Sequence, residues 1–145
     1  MQAAALIYPA TQFAPTELVD VNSRRERERL SPVGLKAFFK MMEHWRVRDE
    51  DARSLLGGIT NGPFYEMKKN YARVLNPDVL TRISYLVGIY RALRILYGTK
   101  LANEWISLPN DNVIFGGRAP LDYMVSGGIP AMQIVRRLLD ARRGM

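Results

Sequence analysis

The chain has no cysteine. That absence excludes a disulfide framework, thiolate metal ligands and a cysteine nucleophile. A single histidine, His44, leaves no material for a multi-histidine zinc or haem site. No stretch approaches the roughly 18 consecutive apolar residues of a membrane span. The opening Met-Gln-Ala-Ala-Ala-Leu-Ile-Tyr-Pro lacks the basic start and the length of a secretion signal. These absences give the expectation of a soluble, cytoplasmic protein without a membrane partner. Strand-like patterning is missing too, beyond the short run Val113-Ile114-Phe115, and no internal repeat is present. What the chain does have is apolar material: 145 residues, 48% hydrophobic against 24% charged, enough for one globular core or two small units sharing one. Its charge is one-sided, with 21 Lys+Arg against 14 Asp+Glu and a net +7, which favours an acidic or polyanionic partner.

Little in the chain suggests catalysis. Glu43, Asp49, Glu50 and Asp51 lie in polar contexts, and acids in a first helical turn are ordinary partners of the helix dipole. Gly57-Gly58, Gly116-Gly117 and Gly127-Gly128 do not make a dinucleotide fingerprint, because no strand precedes a GxGxxG spacing. The expectation is a binding protein that is not an enzyme, with no metal and no cofactor.

Residues 1–30 differ from the rest. Pro9 and Pro15 interrupt regular structure, and the segment ends in Arg24-Arg25-Glu26-Arg27-Glu28-Arg29. Its charges cancel, four basic against four acidic, which favours a solvated arm or short helix over an arm that grips DNA phosphates. Ser31-Pro32 then reads as an N-cap followed by proline at the first helical position. Leu35, Phe38, Phe39, Met42 and Trp45 line one face of that helix, and His44 falls among its polar surface positions. A short helix from near Asp49 carries Ala52, Leu55 and Leu56 inward and stops at Gly57-Gly58. Another follows Thr60-Asn61, with Phe64, Met67 and Tyr71 as its stripe.

Asn76-Pro77-Asp78 opens the longest helix, which reaches about Tyr97 before Gly98. It is apolar almost all round, so it must be covered on more than one side and serves as a spine. A helix over about 99–108, a turn at 109–112, a short helix from Pro120 to Val125 and a last helix from Pro130 complete the chain. Arg136, Arg137, Arg142 and Arg143 are left on the polar side of the last helix, against one acid, Asp140.

Two patterns carry function. The first is generic: Leu55-Leu56-Gly57, then Thr60-Asn61 and the Phe64/Met67 stripe, has the spacing of a helix-turn-helix. Thr60, Asn61, Tyr65, Lys68 and Lys69 would then face DNA, the lysines towards phosphates and Asn61 and Tyr65 towards base edges or backbone. An ordinary three-helix packing unit with no ligand has the same spacing, and Arg53 and Glu66 both weigh against DNA.

The second pattern is specific. Trp105, Leu108-Pro109-Asn110, Phe115-Gly116-Gly117-Arg118, Pro120-Leu121-Asp122 and Gly127-Gly128 recur at fixed spacings within one short stretch. This stretch closely resembles the toxin-binding domain of the MbcA/ParS/Xre antitoxin family, and the likeness extends weakly back over residues 31–145. The resemblance implies an antitoxin paired with a RES-domain toxin that consumes NAD, so that the NAD chemistry belongs to the partner. It also implies neutralisation by protein contact, with the C-terminal end obstructing the toxin's active-site cleft, and a dimer that represses its own promoter by binding operator DNA.

On that reading Trp105, Pro109, Asn110, Gly116, Gly117, Pro120, Leu121, Asp122, Gly127 and Gly128 shape the interface. Gly116-Gly117 permits close backbone approach, and Asp122 can accept from backbone N–H groups or Arg118. Phe115, Arg118, Arg136, Arg137, Arg142, Arg143 and Met145 are expected to touch the toxin, the last few as a tail inserted into its cofactor site. Removing residues after Gly128 is expected to abolish neutralisation and leave the helix-turn-helix folded. The expected fold is all-α: an arm over 1–30, an Xre-like helix-turn-helix bundle over 31–75, and a small helical toxin-binding domain over 76–145 that includes the spine. The alternative is a stand-alone helix-turn-helix regulator whose C-terminal part only dimerises.

Overall fold

Ser23, not Ser31, opens the first helix of the computed structural model, which describes residues 20–144. The Ser23 hydroxyl accepts from the Glu26 backbone N–H at 3.3 Å, and α1 runs Arg24–Trp45. Ser23-Arg24-Arg25-Glu26 has the spacing of a capping box, a start signal hidden in the charged hexad. A hydrogen bond from Arg29 holds the Glu26 carboxyl below the usual carboxylate range, keeping a negative charge at the positive end of the helix.

The hexad is therefore the beginning of α1 rather than part of an arm, and Pro32 lies inside the helix. Proline removes one helical hydrogen bond there. The helix continues because the turns beyond it bury Leu35, Phe38, Phe39, Met41, Met42 and Trp45. Ser31 is fully buried: its hydroxyl donates to the Arg27 carbonyl and accepts the Leu75 N–H at 2.9 Å, which ties α1 to the segment before the spine. Residues 1–19 of the expected arm lie outside the described residues.

Helices α2 (Asp49–Leu55) and α3 (Asn61–Lys69) form where expected, joined through Gly57 and Gly58 at φ 99° and 84°. The spine is α4 (Pro77–Trp105), capped by Asn76, whose side chain accepts the Val79 N–H at 2.9 Å. Gly98 breaks it at φ 72°, ψ −174°. The run Val113–Phe115 is a single 3-10 turn and not a strand, because the Asn112 side chain accepts the Ile114 N–H and curls the chain. Last comes α5 (Pro120–Arg142), broken at Gly128. The protein is all-α, with no strand among the described residues.

Helix α4 packs against both α1 and α5, which accounts for its nearly continuous apolar surface. One contiguous core joins Phe38 and Trp45 of α1, Leu55 of α2 and Phe64 of α3 to Met132, Val135 and Leu139 of α5. Helix α2 also touches α5. At that junction the Arg82 guanidinium, held by Asp78 at 2.9 Å, lies beside the Gly57 turn and the Gly128 break. His44 is not a free surface residue but half-buried, with Nδ1 2.7 Å from the Tyr90 hydroxyl. That hydroxyl also accepts from Arg94 at 2.6 Å, so one tyrosine links α1 to two positions of the spine. No helix among the described residues is long and apolar enough to cross a membrane.

Candidate partner-binding surfaces

The stretch from Trp105 to Leu121 folds as a closed loop. The Asn110 N–H donates to the Arg118 carbonyl at 3.2 Å, and the Leu121 N–H to the Ile106 carbonyl at 2.8 Å. The Asn110 side chain accepts the Asn112 N–H at 2.9 Å, so two successive asparagine side chains substitute for backbone partners and fix the turn. Gly116 and Gly117 sit at φ 58° and 82° with no atom of the chain near the place of a β-carbon. Their glycines therefore serve backbone conformation and not close approach by a neighbouring part of the same chain.

Phe115 corrects the sequence expectation. It is fully buried, edge-on to Trp105 at 6.0 Å and to Tyr123 at 5.3 Å, so it holds the loop and offers no exposed surface of its own. Trp105 and Leu121 are buried with it. Arg118 and Asp122 are both exposed, and no bond joins them among the described residues. Pro120 is buried at the start of α5, while Pro109 is exposed. Val113 at the tip of the turn is 89% exposed, an apolar side chain that the motif leaves in water.

The C-terminal arginines do not form a loose tail. Helix α5 continues to Arg142, whose guanidinium donates to the Tyr97 hydroxyl at 2.7 Å. Arg136 Nε bonds both carboxylate oxygens of Asp140, at 3.0 and 3.1 Å, and Arg143 lies 3.8 Å from the same carboxylate. Arg137 is exposed and has no hydrogen-bond or ion-pair partner among the described residues. Tyr97 and Asp140 thus organise these arginines, a role that the sequence pattern assigned to neither. Asp140 was recoverable, since it lies four residues after Arg136 and three before Arg143 on one helix. Tyr97 carried no such signal. Met145 lies outside the described residues. Gly127 sits against Ala131, where a β-carbon would clash, and Gly128 takes φ 63° and ψ −145°, so both glycines shape the break before the last arginines.

On α3, Phe64 is fully buried against Phe39 at 5.4 Å, which turns Asn61, Tyr65, Lys68 and Lys69 to solvent. Thr60, just before the helix, is exposed and makes no side-chain cap. Asp49 of α2 draws in two of these groups: it accepts from the Tyr65 hydroxyl at 3.1 Å and from Lys68 at 3.5 Å. The Lys68 pair is solvent-exposed on both sides, so a stronger anion displaces it at little cost. Among the described residues no three His, Cys, Asp or Glu side chains gather as a metal site.

The antitoxin Xre/MbcA/ParS C-terminal toxin-binding domain matches residues 92–144. The uncharacterized protein y4oB of Sinorhizobium fredii (strain NBRC 101917 / NGR234) is 38% identical over 114 residues, which cover 78% of this chain and 86% of that protein. No solved structure matches the chain.

Proposed function

The chain belongs to the Xre/MbcA/ParS antitoxin family and is the antitoxin of a toxin–antitoxin system, and from that premise we propose what it neutralises and how. Its toxin is a RES-domain enzyme that degrades NAD. Neutralisation is steric and non-enzymatic: the toxin docks on the 105–122 loop and on the arginine-bearing end of α5, and its cleft is obstructed. The observation that carries this reading is the coincidence of the matched span 92–144 with a loop locked by its own hydrogen bonds. Such a loop offers a preformed surface, and little ordering entropy is lost when a partner binds. Because α5 stays helical to Arg142, the blocking element is a helix end and not a threaded tail.

The protein also binds its own operator as a homodimer, presenting Asn61, Tyr65, Lys68 and Lys69 of α3 from two copies to two half-sites. Support for this comes from the exposure of those four side chains on a helix anchored by Phe64. The deciding experiment is co-expression with the product of the adjacent gene. Co-purification and restored growth are expected, with NAD levels recovering. An adjacent gene product whose toxicity persists, or which never associates, overturns the reading.

A further inference from the structure

Between α1 and α4 runs a groove of about 570 Å³ that continues from the arginine-bearing end of α5. Its apolar part is formed by Leu30 and Val33 of α1 with Val87 and Ile95 of α4. Val33 is 69% exposed and Ile95 64%, among the most exposed large apolar side chains of the described residues. Its other part is cationic: Arg91 of α4 with Arg136 and Arg143 of α5. Arg136 reaches the groove only because Gly88 has no side chain, since a β-carbon there would collide with the guanidinium. Asp140 holds Arg136 through Nε, and the terminal guanidinium nitrogens keep no hydrogen-bond partner among the described residues. No carboxylate lines the groove among those residues.

We propose that this groove receives an acidic amphipathic segment of the toxin, an inference that rests on the toxin-binding reading above. Ile95, Arg136 and Arg143 lie within the matched toxin-binding span, so the groove carries that surface across α4 onto α1. Charge selects the occupant. A second copy docked about a two-fold axis would set three arginines against three arginines. Residues 1–19 bring one acid, Glu17, a poor match for three arginines whose one ion-pair partner among the described residues is the Asp140 that Arg136 and Arg143 share. A helix with carboxylates on one side and aliphatic residues on the other would pair Arg91, Arg136 and Arg143 while covering Val33 and Ile95.

The test titrates the purified toxin into the full-length antitoxin and into Val33→Asp, Ile95→Asp and Arg91→Glu. Each substitution should weaken binding by at least about tenfold, the scale of a buried interface anchor. Lys40→Glu, an exposed position of α1 outside the groove, should leave binding unchanged. All three groove positions are exposed, so circular dichroism and Tm should match wild type; Arg91→Ala serves should an acidic substitution disturb the fold. Groove variants with wild-type affinity overturn the proposal. So does conversion of a dimer to a monomer at unchanged toxin affinity, which would assign the groove to a second copy. Loss of the substitutions' effect once residues 1–19 are deleted would assign it to the chain's own N-terminus and likewise overturn it. Failure of the wild-type protein to bind toxin would instead bring down the underlying reading, and is recognised because no substitution is needed to see it.

Discussion

At Gly88 the spine carries no side chain, and the Arg136 guanidinium fills the notch. Alanine is the better helix former by about 1 kcal/mol, so propensity alone favours Gly88→Ala. The atoms that a β-carbon would meet are the far end of the flexible Arg136 side chain, which swings aside at little cost. We expect propensity to win, so that Gly88→Ala is neutral or gains up to about 1 kcal/mol in urea unfolding while Arg136 is displaced from the notch. A clear loss of stability, relieved by adding Arg136→Ala, would instead mean that the guanidinium is held rigidly there, since the two sites are in contact and do not add independently. Ser31 makes a second residue-scale case. Ser31→Ala leaves the buried Leu75 N–H without its acceptor, at a cost of about 1–3 kcal/mol. Faster hydrogen exchange at the Leu75 amide would report it directly.

Of the three long helices, α4 and α5 each break at a glycine, Gly98 and Gly128, and the second break precedes the last arginines. Gly128, at φ 63° and ψ −145°, sits where other residues are strained. Gly128→Ala should cost about 1–3 kcal/mol, read as a lowered Tm. If the break aims the arginine-bearing half of α5, toxin affinity should fall in the same variant; unchanged affinity would make the break a matter of folding only. The structure also alters what truncation can show. Met132, Val135 and Leu139 follow Gly128 and are all fully buried in the common core. A chain ending at Gly128 is expected to lose its cooperative thermal transition. The sequence expectation of an intact helix-turn-helix after that cut does not suit a core that α5 helps to build, and a truncation retaining a sharp transition would contradict this.

The net +7 is not one stripe across the molecule. Residues 1–30 contribute 0, 31–75 contribute +3, 76–100 contribute +3, 101–128 contribute −2 and 129–145 contribute +3. That division suits two partners, one approached through α3 and one through the C-terminal half. Lys68→Glu with Lys69→Glu should weaken operator binding and flatten its salt dependence by about two units of slope, one for each lost phosphate contact. Neutralisation of the toxin should survive. Unchanged gel-shift affinity would move DNA contact to another face, with Arg24 and Arg25 at the head of α1 the next surface to examine.

Local signals were enough to place four of the five helices, the glycine stops and the toxin-binding motif, because caps, periodicity and turn residues act within a turn or two of chain. The sequence by itself therefore determined an all-α protein and the family it belongs to. It suggested Ser31-Pro32 as the start of α1, whereas the helix begins at the Ser23 cap and Ser31 is buried against Leu75. It marked Phe115 as part of a motif, but not that Trp105 and Tyr123 would enclose it. It counted the C-terminal arginines and could not assign their directions. Tyr97 and Gly88 lie far from those arginines in the chain, and the space that admits or blocks a guanidinium exists only once α4 and α5 are packed. Tertiary structure alone decided which groups remain free to bind.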